Sequence, residues 1–411
     1  MSKRSTTHDP ATDDAGPPLT LSVADRIAEI PAADWDRLAN PDPARLNPFL
    51  SHAFLAALEE AGAVGPGTGW LPQHLVLRRG EGDAGQIVGL APAYLKSHSK
   101  GEYVFDYGWA DAYERAGGRY YPKLQIAVPF TPVPGPRLLV GDAADAGELR
   151  QALAAGAAEI ARRNGLSSVH ITFLGAEEVE ACGEVAYLHR NDQQFHWQNH
   201  GYADFDAFLA TLASRKRKAI RRERAGVAEA GLTIEQVEGT AITEAHWDAL
   251  FEFYMDTGSR KYGRPYLNRA FFSALGATMP ERCMIVLAKR DGHPIAGALN
   301  LIGGDCLYGR YWGATEHYPF LHFEVCYYQA IDYAIRHRLP RVEAGAQGEH
   351  KLMRGYLPTP THSAHWIADR GFRDAVARYL DTERRHVARE IDALAQFAPY
   401  KRATAHDAEQ E

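Results

Sequence analysis

Sulfur is scarce in this chain: 411 residues carry four cysteines and five methionines. Cys182, Cys283, Cys306 and Cys326 show neither CxxC pairing nor metal-ligand spacing. That excludes a disulfide framework and a thiolate metal centre, and implies reduced, mostly buried thiols of a cytoplasmic protein. Long apolar runs are missing as well. None approaches the roughly 20 residues that span a bilayer, so no membrane insertion is expected. The opening stretch MSKRSTTHDPATDDAGPP lacks the apolar core of a secretory signal. Positive charge is not in excess either. The net charge of −7 rules out a chain basic all over, so any nucleic-acid contact must be local.

What is present is ordinary globular composition, 45% hydrophobic and 24% charged, in a chain long enough for two cores. Short strings recur in order at nearly constant separation. Trp35-Asp36-Arg37-Leu38 is echoed by Trp247-Asp248-Ala249-Leu250, and Ala53 to Leu58 by Ala270 to Leu275. Ile87 to Ala91 is echoed by Ile295 to Leu299, each after a charged turn containing glycine. Tyr107-Gly108-Trp109-Ala110 is echoed by Tyr311-Trp312-Gly313-Ala314. Each copy then shows a helical face (Leu149, Leu153, Ala157, Ile160; Phe323, Tyr327, Ala330, Ile331, Ala334) and a strand (Val169 to Gly175; Val342 to Gly348). The spacing predicts two diverged α/β halves, each a mixed sheet flanked by helices. The halves span 19–200 and 201–398, between disordered tails at 1–18 and 399–411, and an insertion in the first falls in the Pro-rich stretch around 115–145.

This order of elements resembles the GNAT acyltransferase fold in tandem. Phe105 to Tyr113, Tyr120 to Gln125, Val128 to Pro132, Leu321 to Tyr328 and Gly345 to Lys351 resemble the FemAB-like family of peptidoglycan biosynthesis or recognition proteins. The resemblance covers nearly all of 20–396. It implies transfer of an acyl or aminoacyl group to an amine, with acyl-CoA or aminoacyl-tRNA as donor.

The densest polar cluster runs from Glu343 to Arg354, from a strand into a loop with glycines, where open α/β sheets collect ligands. Glu349 or His350 suits a base; Lys351 or Arg354 suits an oxyanion donor or a carboxylate clamp, with Gln347 beside them. A solvated loop with local ion pairs is the plain alternative. Tyr311, Trp312, His322 and Glu324 form a second group at a helix start. A histidine there has a depressed pKa and can act as a neutral base; capping and first-turn roles fit equally. The loop that binds the CoA pyrophosphate in GNAT enzymes has no glycine between His317 and His322, and prolines at 134 and 136 remove N–H donors from its first-half counterpart. Both departures weigh against CoA. The segment Ser214 to Arg224 carries seven cations and one acid. It continues a helix begun near Asp204, with Arg217, Arg221 and Arg224 on one stripe suited to polyphosphate or a tRNA backbone. The plain alternative is a solvated basic face. In the first half Asp106, Trp109, Asp111 and Lys123 lie among aromatics suited to a peptide or an amine; alternation at 103, 105 and 107 equally describes a half-buried strand. Gln194 to His200 reads as a strand and linker rather than a metal site.

The expectation is a transferase whose second half holds the catalytic groups and whose first half shapes the substrate. An acetyl-CoA-dependent N-acetyltransferase and a non-catalytic binder of peptide or cell-wall precursor remain open.

Overall fold

The computed structural model describes residues 17–80, 82–261, 265–345 and 348–401, with only the backbone of 83, 259–261 and 349. Fourteen strands form among the described residues: β1 Leu19–Ala24, β2 Trp70–Pro72, β3 His74–Arg79, β4 Gln86–Ala91, β5 Ala93–Lys96, β6 Lys123–Ile126, β7 Ser168–Leu174 and β8 Leu188–Gln198 precede β9 Thr233–Glu238, β10 Cys283–Arg290, β11 His293–Ile302, β12 Cys306–Ala314, β13 Arg341–Glu343 and β14 Leu357–Ile367. A small sheet has the order β1-β3-β4. Eleven strands form the large sheet, β2-β5-β6-β7-β14-β8-β13-β12-β11-β10-β9. Gln73 and Pro92 sit where the chain passes from one sheet to the other, and the N–H of Gln73 still reaches the carbonyl of Ala93.

The large sheet is symmetric about its middle. β6 and β7 run parallel, as do β12 and β13. The strand after each such pair crosses over. β8 follows β7 in sequence but pairs with β13, and β14 follows β13 but pairs with β7. β8 and β14 pair antiparallel at the centre, from Leu357 opposite His196 to His365 opposite Leu188. The halves therefore exchange their last strands. The echoed helices also meet: His52–Glu60 packs on Arg269–Thr278, with Phe54 and Phe271 edge to face at 5.7 Å and both buried. Burying each ring contributes roughly 1.5–3 kcal/mol, and the pair geometry about 1 kcal/mol more.

Local sequence accounts for many boundaries. Asp291-Gly292, both at positive φ, closes the β10–β11 hairpin as a two-residue turn requires. Ser51, Asp204, Asn268 and Asp369 each cap a helix through a side-chain oxygen.

Other expectations change. Tyr107 to Ala110 is not a strand; Tyr107–Arg115 is a helix, so it does not correspond to the strand at Tyr311. The first half is enlarged at two places: 97–122 separates β5 from β6, where β11 and β12 are three residues apart, and 127–145 leads to the next helix. The basic segment does not continue the helix from Asp204. Phe205–Thr211 ends, and Ser214–Glu229 starts anew after Leu212 and Ala213. Pro399 and Tyr400 are packed rather than loose, with the Tyr400 hydroxyl donating to the carbonyl of Gly355 at 2.7 Å. The string from Gln194 is strand β8 as far as Gln198.

Candidate active site

Parallel strands that share only a short ladder must separate beyond it. β12 and β13 pair at three positions, Cys306 to Tyr308 against Arg341 to Glu343. β12 then continues to Ala314 while β13 stops. The wedge that opens is a cavity of about 170 Å³, walled by Ala298, Asn300, Gly309, Arg310, Tyr311, Trp312, His322, Cys326, Tyr327, Ala344 and Gly345. A β-bulge leaves Tyr311 outside the ladder, with φ of 31°. Trp312 and His322 also wall a neighbouring cavity of about 430 Å³ with Thr257, Glu316, His317 and Tyr318.

The helix at the wedge is irregular. Leu321–Phe323 is α, Glu324–Tyr328 is a π turn, and Gln329–Arg336 is α again. Such bulges concentrate at functional sites. The buried carboxylate of Glu324 takes both prongs of Arg224, at 3.0 and 3.1 Å, and the amide of Gln329 at 2.7 Å. Arg354, also buried, donates to Glu223 at 2.9 and 3.0 Å and to the carbonyl of His350 at 2.8 Å. Its guanidinium lies 3.3 Å over the ring of Phe323. Glu324, Arg354 and Arg224 thus fasten the basic helix to the wedge. Arg221 pairs with Asp206 at 2.7 Å, and Arg217 is partly buried. Arg215, Lys218, Arg221 and Arg222 face outward.

His322 and His350 are neighbours. The His322 ring sits 5.1 Å from Trp312, 5.2 Å from Tyr327 and 5.9 Å from His350. The Tyr327 hydroxyl and His350 Nε2 are 2.8 Å apart. Gln347 lies outside the described residues, and Glu349 is described by its backbone alone. Lys351 is buried, its Nζ donating to the carbonyl of Gly345 on the cavity wall at 2.7 Å. Burial pushes this amine down to about 7; the Cys326 thiol opposes the shift and Arg310 reinforces it. Such an amine is divided between its charged and neutral forms at neutral pH.

The first-half wedge between β6 and β7 is filled. Val128, Phe130, Thr131 and Val133 are buried in the loop that follows β6. Gly135 N–H donates to the carbonyl of Phe173, and Gln194 to that of Pro132 at 2.6 Å. Arg137, fully buried, ties the loop to itself through the carbonyls of Val133 and Gly135.

The first-half site residues serve the interior. Lys123 is fully buried and donates to Glu102 at 2.7 Å, to Ser99 at 2.9 Å and to Asp106. Tyr120 donates to Asp106 at 2.6 Å. Burial opposes it, yet Lys123 and His170 hold the Asp106 carboxyl well below its usual range. Trp109 is buried against His365, 4.9 Å away. Asp111 is exposed and pairs with Arg115 one helical turn on. Asp106 and Lys123 spend their charge on each other, which leaves neither facing a substrate. Two wall residues were not singled out from the sequence, Arg310 and Asn300. Arg310 had a signal: a lone cation inside the strand CLYGRYWGA.

No curated protein matches the chain. Among solved structures it is similar to one described as FemX, at 13% identity and TM-score 0.53, covering 85% of this chain and 98% of that one. It is similar to the C-terminal domain (DUF2156) of a putative lysylphosphatidylglycerol synthetase from Agrobacterium fabrum, at 11% identity and TM-score 0.50, covering 85% and 96%. A tandem GNAT protein from the clavulanic acid biosynthesis pathway aligns at 12% identity and TM-score 0.46, covering 86% and 99%. The first two likenesses concern the fold alone, a mixed α/β architecture with a mixed sheet. No helix among the described residues is long and apolar enough to cross a membrane. The family described as FemAB_like, peptidoglycan biosynthesis/recognition, matches residues 26–402, and the chain belongs to it.

Proposed function

We propose that this protein transfers an acyl or aminoacyl group to an amine of a peptide or cell-wall precursor, and that the β12–β13 wedge is where the transfer occurs. The observation that carries the reading is the buried Lys351 amine held at the wall of the cavity, its pKa pushed down to about 7. An attacking ammonium must first lose a proton, and a base with a pKa near the working pH does this best. Lys351 takes that proton, directly or through one water. The freed amine nitrogen bonds to the carbonyl carbon of the donor; as the ester or thioester bond breaks, that nitrogen gives its second proton to water and becomes the neutral amide. The proton on Lys351 then passes to the leaving oxygen or sulfur. The oxyanion formed on the way is met by the Tyr327 hydroxyl and by the backbone of Tyr311, which the bulge has released from the ladder.

Aminoacyl-tRNA is the donor we favour over acyl-CoA. The loop from Thr315 to Phe320 has no glycine to wrap a pyrophosphate. The exposed cations of the helix Ser214–Glu229 suit a polyphosphate backbone, and this helix is tied to the wedge through Arg224 and Arg354. The family description supports a cell-wall precursor as the acceptor class. The test is incubation of the full chain with charged tRNA or acetyl-CoA and an amine-bearing precursor peptide, with product read by mass spectrometry. An amide formed from charged tRNA and lost in Lys351→Met is expected. Ligand binding with no product from either donor would overturn catalysis and leave a recognition protein.

A further inference from the structure

Arg310 is a cation set among phenols rather than carboxylates. It stands inside β12, partly buried. Its Nη2 donates to the backbone carbonyl of Phe130 at 2.8 Å, and its guanidinium lies 5.0 Å from the Tyr311 ring and 5.9 Å from that of Tyr103. No carboxylate among the described residues forms an ion pair with it, and its Nε is shielded from solvent without a hydrogen-bond partner. A shielded guanidinium supported by a carbonyl and by the phenols of Tyr311 and Tyr103 has no carboxylate counter-charge, and such groups are retained where an anion arrives. The surplus donors face the cavity: Nη1 is 3.9 Å from the point where a side chain on Gly345 would begin.

Gly345 is also the residue whose carbonyl receives Lys351 Nζ at 2.7 Å. A group held by Arg310 and a group served by Lys351 therefore converge on one residue, a few bonds apart. The wall adds Asn300, buried, whose amide meets only the weak acceptor Met284 Sδ at 3.7 Å. Ala298, Gly309, Ala344 and Gly345 keep the space open, yet its volume of about 170 Å³ limits what enters. At about 30 Å³ per water that is room for roughly six waters, the scale of a small amino acid and not of a phosphodiester.

We infer that the acceptor bears a carboxylate beside the amine that is acylated, an α-amino-acid-like head group that Arg310 grips while Lys351 deprotonates its nitrogen. This rests on the transfer reading above and adds to it the chemical class of the acceptor. A bidentate guanidinium–carboxylate pair sets the orientation as well as the affinity.

The test is titration calorimetry of the full chain with L-alanine, L-alaninamide and L-tryptophan. Saturable binding of L-alanine is expected, weaker by about tenfold or more for the amide, which lacks the anion, and undetectable for L-tryptophan, which exceeds the cavity. In Arg310→Gln the preference for alanine over alaninamide should vanish; if that variant fails to fold, the wild-type ratio decides alone. Equal binding of alanine and alaninamide, or of neither, overturns the inference. The two readings fail separately. Amide formed as readily on alaninamide as on alanine would sink the carboxylate site and keep the transferase. Selective alanine binding with no product from any donor would do the reverse.

Discussion

The first half of the molecule buries two lysines, Lys96 and Lys123, and the second buries Lys351; Lys123 and Lys351 illustrate what burial does when two carboxylates are at hand or none is. Lys123 meets Glu102 and Asp106, and although burial alone would lower its pKa, the two carboxylates raise it. Lys351 meets a backbone carbonyl, and burial pushes it down to about 7. The first is a permanent cation that fastens residues 97–122 to β6. The second is an amine free to gain and lose a proton. The difference extends to the wedges around them: the first-half wedge is filled by the loop around Phe130, and the second is a cavity.

The sharpest way to break this contrast is to remove the two lysines separately. Lys351→Met should lower transfer by about 10³-fold, within the range for a lost general base, with the fold intact by circular dichroism. Wild-type transfer should climb as pH rises through about 7 and then level, and the variant should lack that limb. Stability gives a signed counterpart. Lys351 falls from an ordinary 10.5 unfolded to about 7 folded, so its burial is most costly below pH 7, and the cost fades as pH rises from 7 towards 10.5. At pH 6 Lys351→Met should therefore be more stable than wild type to urea, on the order of a few kcal/mol. A less stable variant at that pH would show that Lys351 is a structural cation after all.

Lys123→Met should act the opposite way. It strands the buried carboxylate of Asp106, leaves Glu102 only Lys96 at 3.7 Å, and should cost about 3–5 kcal/mol in urea unfolding, while transfer per folded molecule stays the same. Glu223→Gln weakens the hold on Arg354 and should cost about 1–3 kcal/mol, with transfer falling because the 348–354 turn loses its anchor. The smallest effect belongs to the surface. Reversing Arg215, Lys218 and Arg222 to Glu should leave the melting temperature within a degree or two, yet weaken tRNA retention in a filter assay and flatten its salt dependence.

Much of this was readable in the chain because it is encoded locally. Asp291-Gly292 announces a hairpin, the spacing of Phe271, Phe272 and Leu275 a helix face, and the crowding from Glu343 to Arg354 a site. What misled was also local. Tyr103, Phe105 and Tyr107 alternate as a strand would, but Asp106 is anchored by Lys123 and Tyr120, and the chain turns into a helix there. The contrast between Lys123 and Lys351 lies beyond any local pattern. It depends on Glu102 and Asp106, which a separate loop brings in. Arg310 was legible and passed over: a cation between Gly309 and Tyr311 in an otherwise uncharged strand demands a reason.

The crossover of β8 and β14 governs how the molecule comes into being. On the ribosome the first half is made first, yet β7 has no neighbour on one side until β14 has emerged, almost half the chain later. Until then it presents an unpaired strand edge, the feature that recruits chaperones or other chains. Neither half is a gene-fusion module that can be cut loose, and severing the chain near residue 200 would leave two fragments that mature only by finding each other.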